Sequence, residues 1–419
     1  MSLASLQFLI ALFLLAAVFF YLPGRRSRQV MLASCNVGFL YLLIPNSASW
    51  AALGIFLLSG YGMAWLLRKW PSTSLFSVYL VAMVAAFLVI RKYDVVTAHL
   101  PISIAAHAVS IVGLSYMLFR QTQFLVDAFQ GQVERTSLWE YANFQLNLFA
   151  LLSGPIQRYQ DFQEQWEVLD PILKNVDEVR RAYVRLFIGI VKMGVLATVF
   201  MSLYQKSAEM LTSPIARMEI GGSAPELGRS AAIVNFLGIF YFYPIYLYLN
   251  FSGYCDVVIA GGSLVGIRLP ENFDRPYLAR NVIDYWTRWH RTLGFWIRDY
   301  LFLPLYKGVA ERWPGRAESL AFLCYFTAFF VAGIWHGPTA NFVIYGLLQA
   351  IGVSAAKLWE RHILKRRGRA GLKEYLQSAN VRAVAIAGTL HFECFSLLFF
   401  PVDVHTTVQM LQAVWRAII

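Results

Sequence analysis

Residues 319–358 read SLAFLCYFTAFFVAGIWHGPTANFVIYGLLQAIGVSAAKL, and this stretch decides the fold class. Two apolar runs, 319–335 and 340–358, flank the turn sequence Gly337-Pro338. Each is about as long as the roughly 18 residues a helix needs to cross the hydrocarbon core of a bilayer. Only helices and closed barrels satisfy the backbone there. Barrel strands alternate apolar and polar residues. These runs do not alternate, so they read as helices. Pro338 disfavours helical geometry in the residue before it, so the first helix should stop at the turn. His336 stands at that stop.

Working outward, similar runs lie near residues 3–22, 30–43, 50–67, 75–90, 100–119, 184–204, 231–251, 254–267 and 381–400, with a weaker apolar tail at 402–419. Together they predict an all-α polytopic membrane protein with about eleven spans. Short or Gly/Pro-broken runs, such as the one interrupted by Ser153-Gly154-Pro155, are candidates for re-entrant segments. Composition agrees. The chain of 419 residues is 58% hydrophobic and 14% charged, with a mean hydropathy of +0.53. Soluble chains carry about a quarter charged residues. The net charge of +12 sits largely in short loops between apolar runs. That pattern marks cytoplasmic loops and anionic headgroups rather than nucleic acid.

The most basic segment is residues 361–373, with Arg361, Lys365, Arg366, Arg367, Arg369 and Lys373. It reads as a cytoplasmic loop. The helix 340–358 then runs inward, and the Gly337-Pro338 turn faces outward or sits within the membrane. No positive charge precedes the first run, while Arg25, Arg26 and Arg28 follow it. A signal peptide has the reverse order, so a retained helix with an extracytoplasmic N-terminus is expected. Residues 164–181 are charged and read as the sizeable soluble loop. With no internal repeat and no flexible linker, residues 1–419 read as one membrane domain. Cys35, Cys255, Cys324 and Cys394 lie singly in or beside apolar stretches and read as buried small hydrophobes.

Seven histidines could serve proton transfer near neutrality: His99, His107, His290, His336, His362, His391 and His405. Ionisable groups inside a bilayer are costly and are functional suspects. His336 qualifies best, because an imidazole at a helix end beside turn residues can face a cavity. The alternative is a histidine hydrogen-bonded within the bundle. In residues 281–300, Trp286, Trp289, Leu293, Trp296, Ile297 and Tyr300 recur at helical spacing, with Asp284, Arg288, Arg291 and Arg298 on another face and His290 at the border. One interfacial helix is expected there. The arginines would meet lipid headgroups, or the phosphates of an acyl donor or an acidic carrier protein.

Other patterns carry less. Gly261-Gly262-Ser263-Leu264-Val265-Gly266 lacks the Lys-Ser/Thr of a phosphate loop and reads as close helix packing. No GxSxG elbow supports a serine hydrolase. No dense ligand spacing suggests a metal. His391 and Glu393 are spaced by two, on different helix faces, which argues against a proton-relay pair. Asn250-Phe251-Ser252 fits a glycosylation sequon but lies in an apolar stretch.

A longer set of motifs follows in order. Gly154-Pro155-Ile156-Gln157-Arg158-Tyr159 comes first, then Phe251-Ser252-Gly253-Tyr254-Cys255-Asp256, Leu269-Pro270-Glu271-Asn272-Phe273 and Pro276-Tyr277. Trp286-Thr287-Arg288-Trp289-His290, Arg298-Asp299-Tyr300 and Gly333-Ile334-Trp335-His336-Gly337 complete it. This series resembles the membrane-bound O-acyltransferase (MBOAT) family, and most closely its bacterial branch that handles D-alanine for teichoic acids and acetyl groups for alginate. The close resemblance covers residues 251–346. Thr287 departs from it, where the family usually has a second Arg. So does Ala340, where bacterial members often have Trp.

The resemblance implies helices around a funnel or tunnel. It maps the family's catalytic histidine onto His336 and its second histidine onto His290. It implies transfer of a D-alanyl or acetyl group from a cytoplasmic thioester to hydroxyls of an extracytoplasmic envelope polymer. The donor would be acyl carrier protein phosphopantetheine or acetyl-CoA, with no tightly bound cofactor and no metal. An extracytoplasmic acyltransferase is a further expected partner. Asn341 is the candidate oxyanion donor, with packing or helix capping as its alternative. Arg288, Arg291, Arg298, Trp335 and Asp299 are candidate substrate contacts. Two other function classes remain. A transporter or flippase component would carry ionisable groups along a path and often shows inverted repeats. A membrane scaffold for an extracytoplasmic transferase would tolerate loss of His336.

Overall fold

The computed structural model describes residues 6–93, 109, 111–170, 175–219 and 227–419. His99, His107 and half of the run 100–119 lie outside these residues. The helices are α1 (Leu6–Tyr21), α2 (Gly24–Leu43), α3 (Ser47–Lys69), α4 (Thr73–Ile90), α5 (Leu114–Phe129), α6 (Leu138–Leu146), α7 (Tyr159–Val168) and α8 (Val176–Ile190). A π-helical turn, Val191–Leu196, leads into α9 (Ala197–Glu219), followed by α10 (Arg229–Leu264), α11 (Val282–Trp286), α12 (Arg291–Ile297) and α13 (Leu303–Arg312). The chain ends with α14 (Ala317–Ile334), α15 (Ala340–Gln377), α16 (Ala379–Leu397) and α17 (Val404–Ile418). Among the described residues, five helical stretches are long and apolar enough to cross a membrane: Ser47–Lys69, Thr73–Ile90, Val176–Ser213, Arg229–Leu264 and Ala340–Gln377. Ile10–Tyr21 and Leu320–Ile334 are shorter apolar helices. The outer faces of three of the long helical stretches expose Ile55, Val78, Val81 and Phe187. Such faces are stable against lipid tails, and the protein is multi-pass.

Several spans begin where local chemistry satisfies the free N–H groups of a helix start. Asn46 caps α3 by accepting from the Ser49 N–H at 2.8 Å, and Ser72 caps α4 by accepting from the Leu75 N–H at 3.3 Å. The Lys69 ammonium closes α3 over the Trp65 and Trp70 rings, 4.7 and 5.4 Å from their centroids. This places cation and indoles at one end of a span, where interfacial anchors belong.

Three expectations change. The runs 231–251 and 254–267 form one helix through Ser252-Gly253, with Pro244 inside it. Ser252 and Gly253 separate the two apolar runs in the sequence, but neither removes a backbone N–H, so the helix continues through them. The charged stretch 164–181 is helical on both sides of residues 171–174, as the end of α7 and the start of α8. The basic segment 361–373 is helical rather than a loop. α15 continues through it and kinks at Gly368, whose φ is +66°. A left-handed φ favours glycine, which places the kink there.

The chain forms two compact units. One comprises Met1–Ile190 and Tyr254–Glu271, the other Val191–Gly253 and Asn272–Ile419. In the first, polar side chains interlock α2 to α7. The Tyr141 hydroxyl donates to Gln121 Oε1 (2.9 Å), and Gln121 Nε2 donates to the Tyr79 hydroxyl (3.0 Å). Asn36 Nδ2 donates to Asn143 Oδ1 (3.1 Å). Gly60 admits this packing, since a Cβ there would lie 2.1 Å from Gln121 Nε2. The same unit holds an ion-pair fork. Arg185 Nε donates to Asp256 Oδ1 at 3.0 Å, and its Nη1 and Nη2 donate to the two Glu271 oxygens at 2.5 and 2.6 Å. The arginine thus joins the Phe-Ser-Gly-Tyr-Cys-Asp and Leu-Pro-Glu-Asn motifs. The planar guanidinium suits two carboxylates at once. Gly261 and Gly262 pack closely, with a Cβ 2.9 Å from Phe149 and 2.7 Å from the Ile267 carbonyl. That is the packing role expected of them.

In the second unit, α14 and α15 are antiparallel and cross at glycine. A Cβ on Gly333 would lie 2.0 Å from Gly346 Cα. This crossing carries the turn with His336. A buried cluster of Tyr204, Ile239, Tyr243, Tyr345, Leu397, Leu398 and Met410 packs beside it.

Candidate functional site

The site is built in the second unit from two segments. The first is the turn between α14 and α15. As expected, Gly337-Pro338 ends the helix, and α14 stops at Ile334. The His336 N–H donates to the Gly333 carbonyl at 3.1 Å, which closes the last turn over the glycine crossing. The half-buried His336 ring lies among four aromatic rings: Trp335 (5.0 Å between centroids), Phe400 (5.1 Å), Tyr345 (5.7 Å) and Phe342 (6.3 Å). Aromatic packing on several sides restricts the ring. Thr339 stands just before α15 at its N-cap, and its hydroxyl donates to Asn341 Oδ1. Asn341 is buried one turn from His336.

The second segment carries His290, and here the single interfacial helix expected over 281–300 is overturned. The chain forms α11, folds back, and resumes as α12. His290 occupies the corner with a φ of +43°. Left-handed geometry costs a non-glycine residue roughly 1–2 kcal/mol, so neighbouring interactions must hold it. Asn272 supplies them. Its carbonyl accepts from the Arg291 N–H (3.0 Å), and its Oδ1 accepts from the Thr292 hydroxyl (2.7 Å) and N–H (3.3 Å). The Asp274 N–H donates to the Arg288 carbonyl at 2.9 Å. Gly294 allows the return, because a Cβ there would lie 2.5 Å from the Trp286 carbonyl. The aromatic residues read as a helical stripe therefore serve a fold-back. Trp289 stacks on Tyr285 at 5.6 Å and meets Phe273 edge-on at 5.1 Å. The Asn272 hydrogen bonds compete with a continuous helix for the same N–H groups, and side-chain spacing does not report them.

His290 is buried, with its ring edge-on to Phe251 at 4.9 Å. Burial, and to a lesser degree the neighbouring His336, holds its imidazole pKa below the ordinary value. The ring is therefore neutral at physiological pH and can accept or donate one hydrogen bond.

The remaining predicted residues divide. Trp335 packs against His336, and Asn341 is buried in the first turn of α15. Arg288 is committed to the fold-back: its Nε donates to Asp284 Oδ1 at 2.8 Å and its Nη1 to the Asp274 carbonyl at 3.4 Å. Burial opposes ionisation of Asp284. Hydrogen bonds from the Arg280 N–H and from Arg288 outweigh it and hold the carboxyl pKa below its ordinary value. The guanidinium groups of Arg291 and Arg298 lie 5.7 and 5.2 Å from the Phe295 ring centroid. Arg298 also pairs with Asp299 at 2.7 Å. Residue types and spacing gave no sign that Asn272 builds the corner or that Phe251 packs on His290. His391 and Glu393 separate as their spacing implies. His391 Nε2 meets the Tyr241 hydroxyl at 2.9 Å on an exposed face, while Glu393 is buried. His362 stacks on Trp359, away from this turn. The four cysteines are free. Among the described residues no group of His, Cys, Asp and Glu is arranged to hold a metal.

The comparisons agree with the motif series. The sequence model of the membrane-bound O-acyltransferase family matches residues 72–381. A teichoic acid D-alanyltransferase of Streptococcus thermophilus is 28% identical over 321 residues, covering 75% of this chain and 74% of that one. Its counterpart in Bacillus subtilis is 28% identical over 295 residues, 70% and 69% of the two chains. A probable alginate O-acetylase, AlgI, of Pseudomonas aeruginosa is 26% identical over 265 residues, 60% of this chain and 45% of that protein.

Proposed function

Because this chain belongs to the membrane-bound O-acyltransferase family, and so is a membrane O-acyltransferase, we propose that it moves a short acyl group, D-alanyl or acetyl, onto hydroxyls of an extracytoplasmic envelope polymer. The donor is a thioester, on acyl carrier protein phosphopantetheine or coenzyme A, that enters from the cytoplasmic side. The observation that supports the reading is His336 itself, an imidazole at a helix end whose ring packs among Trp335, Phe342, Tyr345 and Phe400.

His336 accepts the proton of the acceptor hydroxyl as its oxygen attacks the thioester carbonyl. The tetrahedral intermediate collapses, the C–S bond breaks, and the proton passes from the imidazolium to the departing thiolate. A positioned base of this kind contributes about 10²–10⁴-fold. Asn341 donates to the oxyanion from its amide nitrogen, since its oxygen already accepts from Thr339. His290 orients donor or acceptor. Arg291 and Arg298 meet the phosphates of the donor, with Asp299 holding Arg298 and Trp335 lining the acyl path. Helices around a funnel admit the donor and acceptor from opposite sides, and an extracytoplasmic acyltransferase completes delivery where the polymer lies beyond reach.

The test is the ester content of the envelope polymer in cells carrying His336→Ala, with membrane abundance followed by immunoblot. Ester should fall to the level of a deletion at normal abundance. Unchanged ester would remove His336 from the chemistry and favour a scaffold.

A further inference from the structure

A buried polar chain in the second unit lies outside the histidine pair. The Trp286 indole N–H donates to Gln349 Oε1 at 2.9 Å. Gln349 Nε2 donates to Glu393 Oε2 at 2.9 Å and to Ser396 Oγ at 3.0 Å. The Ser396 hydroxyl donates to the Glu393 carbonyl at 2.9 Å. Gln349 and Ser396 are 0% exposed, Glu393 1% and Trp286 4%. The direction of the chain is forced. An indole N–H can only donate, so the amide oxygen of Gln349 faces it and the amide nitrogen faces Glu393. No other orientation of Gln349 satisfies both neighbours.

Glu393 ends this chain in apolar surroundings. The titratable groups facing it are Tyr277, Tyr285, Tyr345 and Cys394. Among the described residues no Lys, Arg or His pairs with it, and its second oxygen, Oε1, has no hydrogen-bond partner. An ionised carboxylate without a cation is strongly disfavoured in such surroundings. Glu393 is therefore a neutral acid that accepts at Oε2. Its position is what gives it consequence. Trp286 is the last residue of α11, immediately before the fold-back that ends at His290. Gln349 lies on α15, the helix that carries Tyr345, whose ring meets that of His336 at 5.7 Å.

We propose that Glu393 is a positioning residue for acyl transfer: through Gln349 it fixes the Trp286 indole, and so holds the His290 corner in register with the helix that presents the surroundings of His336. The proposal rests on the acyl-transfer reading of the two histidines. Glu393 touches no reacting atom. It acts by orienting one buried amide, whose misorientation would leave an indole N–H or a carboxyl oxygen unsatisfied.

The test uses Glu393→Gln, Glu393→Ala, Gln349→Leu and Trp286→Phe in the full-length protein in cells, beside His336→Ala. Two quantities are read at matched abundance: polymer ester content, and carbethoxylation of His290 by diethyl pyrocarbonate measured by peptide mass spectrometry. Glu393→Gln keeps a neutral acceptor and should retain activity. Glu393→Ala, Gln349→Leu and Trp286→Phe should each lower ester content on the order of 10- to 100-fold, the cost of displacing a positioned group by about an ångström. They should also raise His290 modification while leaving that of His362 unchanged. If Glu393→Gln is as inactive as Glu393→Ala, the ionisable group is itself needed, and positioning is wrong. Full activity in Glu393→Ala or Trp286→Phe would overturn the proposal. Should Glu393→Ala fail to accumulate, Trp286→Phe decides, since it removes the indole donor while keeping an aromatic ring. His336→Ala separates the two ideas. Its unchanged ester sinks the transfer reading, whereas its inactivity beside an active Glu393→Ala sinks positioning alone.

Discussion

Gly333→Ala tests whether the helix crossing positions His336. A Cβ at Gly333 would lie 2.0 Å from Gly346 Cα and 2.7 Å from Gly346 N. Both are backbone atoms, so no side chain can rotate away. Carbon atoms pack best at about 3.5–4.0 Å, so α14 and α15 must separate by roughly 1.5–2 Å. Overpacking of this kind costs about 1–3 kcal/mol. The larger effect should fall on activity, because His336 follows three residues after Gly333 and its N–H bonds the Gly333 carbonyl. A shift of about 1 Å at a catalytic group can cost about 10²-fold in rate. Gly388→Ala is the control. It sits in α16 with nothing within 4 Å of the added methyl, and a helical glycine replaced in open space stabilises by about 0.4–1 kcal/mol. The assay pairs polymer ester content with the melting midpoint of the purified protein. Gly333→Ala should lower both, and Gly388→Ala should lower neither. Wild-type ester content and an unshifted midpoint in Gly333→Ala would refute the reasoning.

Asn272→Ala should reduce transfer more than it reduces abundance, because it frees the Thr292 hydroxyl and N–H that hold the His290 corner. Asn272→Asp keeps the acceptor, so it should retain more ester than Asn272→Ala, and equal loss in the two would reject that account. Arg185→Lys should lower the melting midpoint, since lysine cannot span Asp256 and Glu271 together. A double-mutant cycle of Arg185→Lys with Glu271→Gln should give a coupling of about 0.5–1 kcal/mol at this partly exposed site, and zero coupling would count against the fork.

Hydropathy alone determined that the chain is helical and crosses a membrane, because each apolar run must bury its backbone polar groups in its own hydrogen bonds. It also located the helix stop at Gly337-Pro338, since the restriction that proline imposes on its neighbour is local. The motif series pointed to His336 and His290 by residue type and order. Tertiary structure decided what those residues meet. Periodicity read residues 281–300 as one helix. Asn272, however, lies eighteen positions before His290 in sequence and claims the Arg291 and Thr292 N–H groups once the chain has folded. Glu393 looked unimportant beside His391 because spacing reports only helix faces. Its partner Gln349 comes from another helix. Local patterns record what a residue can do with its near neighbours in sequence. Long-range hydrogen bonds and glycine crossings depend on contacts that form only when distant segments pack, and at this site those contacts hold the histidines.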